Sequence, residues 1–173
     1  GTGANLKMLA AQGRAEGVDI STQAVEFSRQ RGLDSVKLGA AEQLPYDDGS
    51  FDLVTALDVI EHVDDDVAGL REMRRVLRGE GRLLVFVPAF MFLWGVQDEV
   101  SNHRRRYTLQ SLLRAVEAAG FSVRKGSMTI LYPSVSSPAA ACPYQVYFVV
   151  TRTSFLLSIG KTIVKSNCKE QLG

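Results

Sequence analysis

The stretch at residues 51–63, FDLVTALDVIEHV, predicts the fold of this chain. Its first part, Phe51–Leu57, is an almost continuous apolar run, which suits a strand that is buried on both faces of a parallel sheet. The run ends at Asp58, Glu61 and His62, whose side chains can form hydrogen bonds or move protons. In open α/β sheets, ligands bind outside the carboxyl ends of the strands. The stretch therefore predicts a buried strand that ends at a binding pocket.

The composition is that of an ordinary globular domain, with 173 residues, 46% hydrophobic and 23% charged. We predict a single domain over residues 1–173, in which 1–130 is recognisable and 131–173 is poorly defined. A net charge of +1 gives no electrostatic reason to expect a nucleic-acid partner. No apolar run approaches the roughly 18 residues of a membrane span, so we predict none.

The two cysteines, Cys142 and Cys168, lie too far apart for a metal motif or a disulfide framework. We therefore predict no metal site and a reducing, cytoplasmic location. The first residues also lack the basic start and apolar run of a signal peptide. Nothing in the composition indicates an oligomeric state.

Helical and strand patterns alternate along the chain, which predicts an α/β fold with a mostly parallel sheet and helices on both faces. Before the central strand, we predict a helix over 5–12, a strand over 14–20, a helix over 22–31 and a strand over 35–38. After it, we predict a helix that starts within 64–66 and runs to about 78, a turn at 79–81, a strand over 82–87, an irregular segment over 89–107, a helix over 109–119 and a strand over 121–130. In the C-terminal part, residues 131–173, we predict a loop over 134–143, a strand over 145–151 and a strand or short helix over 155–164.

The chain begins with a glycine turn, Gly1-Thr2-Gly3. Such a turn lets backbone N–H groups approach a ligand without a Cβ in the way, although many are only tight turns. A glycine turn of this kind normally follows a strand. We therefore expect that the preceding strand is missing from this sequence.

Asp19 lies sixteen residues after Gly3, at the end of the next predicted strand. A carboxylate there can accept both hydroxyls of a ribose, or it can cap the following helix. Its pairing with the glycine turn favours a nucleoside ligand. A dinucleotide usually requires a third glycine three residues after Gly3, where this chain has Leu6. That disfavours nicotinamide and flavin dinucleotides.

Five segments resemble, in order and spacing, the successive motifs of class I S-adenosylmethionine-dependent methyltransferases. They are 1–3 (GTG), 17–21 (GVDIS), 41–46 (AEQLPY), 49–54 (GSFDLV) and 58–63 (DVIEHV). The similarity covers about residues 1–130 and is closest to the large bacterial-type group that methylates small molecules. It implies a Rossmann-like doubly wound fold, S-adenosylmethionine as cofactor and a small-molecule substrate.

The resemblance also implies cofactor-binding roles. The turn of Gly1, Thr2 and Gly3 would lie under the methionine and ribose part of the cofactor. Asp19 would hold the ribose hydroxyls, and Ile20 would pack on the adenine.

The remaining roles fall near the central strand and the loop before it. Ala41 and Glu42 would line the adenine edge, whereas Leu57 and Asp58 would face the methionine end. His62 would lie nearby and is the candidate catalytic base.

Two departures from the family pattern concern the core and the adenine loop. In the family, a strand and an acidic residue precede the glycine turn, and that strand is the middle of the sheet, so its absence predicts a gap in the core. The family also often carries an Asp where this chain has Ala40. Glu42 can accept this hydrogen bond from the adenine in its place, or backbone N–H groups can bind the adenine by donating to it.

Three groups of side chains have both a functional and a structural interpretation. Glu61 and His62 can act as bases, since some methyl acceptors need one, but both can also serve only in packing or at a helix start. The segment 103–107 (HRRRY) can bind an anionic substrate, or form ion pairs with Asp98 and Glu99. The aromatic side chains of Phe90, Phe92 and Trp94 can form one wall of a substrate pocket, or they can only pack against the rest of the protein.

Three functions follow from these patterns. The first is a small-molecule methyltransferase. The second is a non-catalytic cofactor-binding relic or fragment of such a domain, which the missing strand favours. The third is a nicotinamide-dependent oxidoreductase, which Leu6 disfavours.

Overall fold

The strands form one mixed sheet. The computed structural model describes residues 3–122 and the backbone of residues 125–131, 145–151 and 161–166. The strands of these residues are β1 (Arg14–Asp19), β2 (Val36–Leu38), β3 (Phe51–Leu57), β4 (Leu77–Pro88), β5 (Lys125–Leu131), β6 (Gln145–Thr151) and β7 (Lys161–Ser166). Their spatial order is β2-β1-β7-β3-β4-β6-β5. The first five in that order are mutually parallel, and β6 is antiparallel to both β4 and β5. The predicted α/β fold with a mostly parallel sheet is confirmed.

Helices cover both faces of the sheet. They are α1 (Ala4–Ala10), α2 (Thr22–Gln30), α3 (Asp66–Val76), α4 (Val96–Val100) and α5 (Leu109–Ala118), with short 3-10 helices at Ile60–His62 and Met91–Leu93. Ala15 packs in a small apolar cluster with residues of α1 and α2, whereas Val18 belongs to the large cluster that includes α3 and α5. Residues three apart on a strand point to opposite faces. The two helix pairs therefore lie on opposite sides of β1.

The central strand β3 carries buried side chains on both of its faces. It lies between β7 and β4, and Phe51 and Ala56 are completely buried. Thr55 is only 1% exposed. The prediction of a strand covered on both faces is confirmed, and its carboxyl end carries Asp58 to the edge of the sheet.

The gap expected in the middle of the sheet is absent from the described part of the chain. Strand β7 lies between β1 and β3 and is parallel to both, with Ile163 opposite Glu16 on one side and Val54 on the other. Without it, β1 and β3 would present unpaired N–H and C=O groups inside the protein. The segment predicted as a strand or short helix is thus a strand from Lys161, whereas the loop predicted over 134–143 lies outside the described residues.

The turn predicted at 79–81 is wrong. Strand β4 starts at Leu77, directly after α3, and runs through these residues as an irregularity. Phe51 of β3 pairs with Leu77 of β4, and the next paired residues are Leu53 and Arg82. The residues of β4 between Leu77 and Arg82 therefore interrupt the regular pairing with β3. A Cβ on Gly81 would lie 2.9 Å from the carbonyl oxygen of Arg78, so glycine permits this tight path.

The predicted helix starts agree with the structure. The hydroxyls of Ser21 and Thr108 accept the N–H groups of Ala24 and Ser111, and Asp65 caps α3 in the same way. The segment predicted as irregular contains α4 and a 3-10 turn, neither of which the pattern indicated. Within the described residues, no helix is both long and apolar enough to cross a bilayer.

Candidate functional site

The carboxyl ends of the parallel strands meet at one edge of the sheet. Asp19 ends β1, and Leu57 ends β3. The backbone N–H of Asp58, the next residue, donates to the carbonyl of Phe86 in β4 at 3.0 Å. Because β1, β7 and β3 are parallel, Asp19 and Asp58 lie at the same edge with one strand between them.

Asp19 is held in place by its neighbours. Its side chain is buried, and Oδ1 accepts the backbone N–H of Ser21 at 2.8 Å. The N–H of Gly39, just past β2, donates to the Asp19 carbonyl at 3.0 Å. A Cβ on Gly39 would lie 2.9 Å from Cδ of Pro45 and 3.1 Å from Cγ1 of Val18, so the loop after β2 closes tightly against the end of β1.

Apolar side chains are exposed beside this carboxylate. Ile20 is 63% exposed and Leu38 is 52% exposed. In the loop that follows β2, Ala41 is buried and Glu42 is exposed. This part of the edge offers a fixed acid between two apolar surfaces.

Gly3 lies against the far half of α2. It has φ 81° at the start of α1, and a Cβ there would lie 2.3 Å from Cδ1 of Leu33 and 3.5 Å from Oγ of Ser28. Ser28 is near the C-terminal end of α2, whereas Asp19 precedes its start. No contact described for Gly3 joins it to Asp19, and Gly1 and Thr2 lie outside the described residues. The cofactor-binding roles of the turn therefore stay predictions.

Two carboxylates lie together where β3 ends. Asp58 has a left-handed backbone with φ 51°, and Glu61 follows in the 3-10 helix with no exposed surface. Neither carboxylate oxygen of Glu61 has a hydrogen-bond partner among the described residues. Burial raises the pKa of Asp58 to about 6. Burial, and then the charge of Asp58, raise the pKa of Glu61 well above its ordinary value.

Asp98 in α4 organises the segment that faces Glu61. Its fully buried carboxylate accepts two hydrogen bonds from Arg106, from Nε at 2.7 Å and from Nη2 at 2.8 Å. The same carboxylate lies 2.8 Å from Nδ1 of His103. The backbone N–H of Arg104 donates to the carbonyl of Glu61 at 2.9 Å, which fixes this segment against the 3-10 helix.

The two histidines of the chain meet at Glu61. The ring centroids of His62 and His103 are 4.7 Å apart and the rings are nearly perpendicular. Nε2 of His62 is 3.9 Å from Oε1 of Glu61, and one side-chain nitrogen or oxygen of each of the three residues lies within 4.8 Å of the others. The sequence identified His62 and the segment 103–107 separately, but did not predict that they form one cluster.

The arginines of the segment 103–107 are engaged within the protein. Arg105 donates to the carbonyls of Val63 and Asp64 at 2.9 Å, and Arg104 pairs with the carboxylate of Asp64. Arg106 is committed to Asp98. These contacts favour ion pairing over anion binding for this segment.

An apolar rim lies beside the cluster, formed by Phe90, Met91, Phe92 and Val96. Phe92 is 80% exposed and stacks on Phe90 with ring centroids 5.2 Å apart. Met91 and Val96 are also exposed. The Met91 sulfur accepts the backbone N–H of Arg106 at 3.2 Å, which links the rim to the Asp98 network.

A separate concave surface lies at the opposite edge of the sheet, near the start of β1. Arg14, Glu16, Lys37 and Tyr46 are among the residues that line it. Glu16 pairs there with Arg14 and with Lys37, each at 3.6 Å. None of the sequence-predicted site residues lines this surface.

Several known proteins that are similar to this chain are described as methyltransferases. Residues 1–85 match the family described as a methyltransferase domain. An uncharacterised methyltransferase of Bacillus subtilis is 31% identical over 136 residues, which is 68% of this chain and 53% of that protein. A ubiquinone/menaquinone biosynthesis C-methyltransferase of a Geobacter species is 33% identical over 84 residues, covering 49% of this chain and 36% of the relative. The chain thus spans about half, or less, of the length of these curated relatives.

A solved structure from Thermotoga maritima has the same fold. It is described as a SAM-dependent methyltransferase and a possible histamine N-methyltransferase. It is 25% identical, with a TM-score of 0.61, over 86% of each chain.

Proposed function

Since the chain belongs to the class I S-adenosylmethionine-dependent methyltransferases, we propose that it transfers a methyl group from S-adenosylmethionine to a small apolar molecule. The resemblance and the Rossmann-like fold expected from the sequence are confirmed. S-adenosylmethionine is the cofactor of this family. The residues that bind it, the acceptor and the activity of this chain are the content of the proposal, and a cytoplasmic location stays a prediction.

The observation that carries the proposal is the position of Asp19. A ribose presents two adjacent hydroxyls, which a buried, oriented carboxylate accepts well. Adenine needs an apolar surface on its face, and exposed Ile20 and Leu38 lie next to this acid. Ala41 and Glu42 then lie in the loop at the same edge, where the rim of the adenine would be.

The methionine end of the cofactor would lie over the end of β3. There Leu57 and Asp58 come to the same edge as Asp19. The sulfonium and ammonium groups are positive, and an ionised Asp58 would attract them. The methyl group would then be directed toward Glu61, His62 and His103, which gives His62 a place near the acceptor rather than under the adenine.

The rim indicates the type of acceptor. Met91, Phe92 and Val96 offer exposed apolar surface next to groups that exchange protons. A flat apolar molecule with an ionisable hydroxyl would use both features. Reduced quinones have this chemistry, and a ubiquinone/menaquinone biosynthesis enzyme is among the relatives.

Direct titration tests the proposal. We expect S-adenosylmethionine to bind in calorimetry and NAD⁺ not to bind. The bound protein should then methylate one or more members of a panel of hydroquinones, phenols and aromatic amines. Absence of S-adenosylmethionine binding by folded protein, or tighter binding of NAD⁺, would overturn it.

A cofactor-binding relic is the second candidate, and the position of Gly3 favours it. A Cβ on Gly3, the described residue of this turn, would meet Leu33 and Ser28, and no contact described for Gly3 reaches the end of β1. Binding of S-adenosylmethionine without methyl transfer to any panel member, in protein with a stable fold, would favour the relic.

A further inference from the structure

The cluster at the 3-10 helix contains a fully buried acid whose carboxylate forms no hydrogen bond with the described residues. Glu61 has no exposed surface, and neither of its carboxylate oxygens has a hydrogen-bond partner among them. A buried carboxylate without partners is costly, and proteins normally pair such a group or use it to bind a cation. The ring nitrogen Nε2 of His62 lies 3.9 Å from Oε1 of Glu61.

The other members of the cluster are good metal ligands. His62 and His103 each bring a ring nitrogen toward Glu61, and the three ligand atoms lie within 4.8 Å of one another. Ligands of a tetrahedral zinc ion are roughly 3.3 Å apart, because each lies about 2.0–2.1 Å from the metal. Small side-chain rotations would therefore close the cluster around an ion.

His103 already has the outer support that metal-binding histidines use. Asp98 holds its Nδ1 at 2.8 Å, which leaves Nε2 as the nitrogen that can ligate. A carboxylate behind a histidine fixes the ring and raises its basicity as a ligand. Arg106 in turn fixes Asp98 with two hydrogen bonds, so the support is rigid.

We propose that Glu61, His62 and His103 form a binding site for a divalent first-row transition metal, with zinc as the best match. Two imidazoles and one carboxylate favour such metals over Mg²⁺ and Ca²⁺, which prefer oxygen ligands. Three protein ligands leave a fourth position open, as in catalytic zinc sites. The cysteine spacing, which predicted no metal, does not bear on this set because neither Cys142 nor Cys168 belongs to it.

The open position deepens the proposed function. It would hold the oxygen of an acceptor hydroxyl and lower its pKa, so that the hydroxyl releases its proton to solvent and the oxygen becomes the stronger nucleophile. This consequence rests on the proposed function, whereas metal binding itself does not. The two are therefore separated by measuring metal binding without the cofactor, and cofactor binding on the same metal-free sample.

The test uses untagged protein stripped with a chelator and titrated with Co²⁺ or Zn²⁺ alone. We expect one Co²⁺ ion to bind per chain with the visible d–d bands of a tetrahedral site, and Zn²⁺ to displace it. Glu61→Gln should weaken Zn²⁺ binding by about a hundredfold, since one of three ligands is lost. Glu117→Gln, at an exposed position of α5, is the matched control and should leave binding unchanged.

Folding of the variant is checked by thermal unfolding. Glu61→Gln keeps the size of the side chain and removes a buried charge, so the metal-free variant should melt at or above the temperature of the metal-free parent. Zn²⁺ should raise the melting temperature of the parent by more than that of Glu61→Gln, whose affinity for the ion is lower.

The two histidines provide an independent readout. Because the chain has only His62 and His103, their ring ¹⁵N resonances are readily assigned, and Zn²⁺ should shift both. No Zn²⁺ binding by the folded parent, equal binding by Glu61→Gln, or unshifted ring resonances would overturn the metal site. Retained binding of S-adenosylmethionine in that case would leave the proposed function standing.

Discussion

Arg106 and Asp98 form a buried ion pair with two parallel hydrogen bonds, at 2.7 and 2.8 Å. The pair lies between the apolar rim and the histidine cluster, since Arg106 also binds the Ala89 carbonyl at 3.1 Å and Asp98 also holds His103. The pair therefore holds the segment that follows α4 in position against the 3-10 helix at Ile60–His62.

Replacing Arg106 by Met should destabilise the fold by about 3–5 kcal/mol, because it leaves the carboxylate of Asp98 buried without its counter-charge. Urea unfolding measures this free energy. Arg104→Met is the control, since its pair with Asp64 is largely exposed and should contribute less than about 1 kcal/mol. Equal effects of the two substitutions would show that the Asp98 pair has no special structural role.

Asp19→Asn should weaken S-adenosylmethionine binding by more than about tenfold, because the amide cannot accept both ribose hydroxyls as a carboxylate can. The amide oxygen can still accept the Ser21 N–H, so the local fold is kept. Calorimetry measures the dissociation constant, with exposed Asp34→Asn as the control. An unchanged constant in Asp19→Asn would refute the ribose role.

The contribution of Asp58 to the stability of the protein should fall as the pH rises from about 4 to about 6. The pKa of Asp58 is raised from 3.8 to about 6, so in this window the folded state binds more protons than the unfolded state. Below about pH 4, Asp58 is protonated in both the folded and the unfolded state, so stability no longer changes with pH through this group. Asp58→Asn should remove up to about 3 kcal/mol of this decline, whereas exposed Asp47→Asn should not. A decline of the same size in Asp58→Asn would contradict the raised pKa.

Gly39→Ala should destabilise the protein by about 1–3 kcal/mol, because the new methyl group would press on Pro45 and Val18. It should also weaken S-adenosylmethionine binding, since the Gly39 N–H holds the end of β1. Gly79→Ala is the matched control, with open space around its Cβ and an effect within about 0.5 kcal/mol. Thermal unfolding and calorimetry report the two effects, and equal results for both glycines would contradict the close packing.

The parts of the fold that local patterns encode were predictable. The apolar run of β3 and the starts of α2 and α5 each depend on a few neighbouring residues, and each lies where the pattern predicted it. The turn at 79–81 failed because glycines also permit an irregular strand, and the pairing with β3, which is not local, decided between the two.

The histidine cluster could not be predicted because its members are joined only by long-range contacts. His62 and His103 are brought together by the hydrogen bond from Arg104 to Glu61 and by the network of Asp98, and neither follows a helical or strand period. The one available signal was spacing, since Asp98 precedes His103 and Arg106 by five and eight residues and can reach both from a short helix. The position of β7 between β1 and β3 likewise depends on contacts between residues that are far apart in the sequence.

Amide chemical shifts during a titration with S-adenosylmethionine test most directly whether the strand ends form one cofactor crevice. We predict the largest changes at Asp19, Ile20, Ala41 and Asp58, and small changes at Arg14 on the opposite edge of the sheet. Changes confined to that opposite edge, or no changes at saturating cofactor in folded protein, would contradict the account.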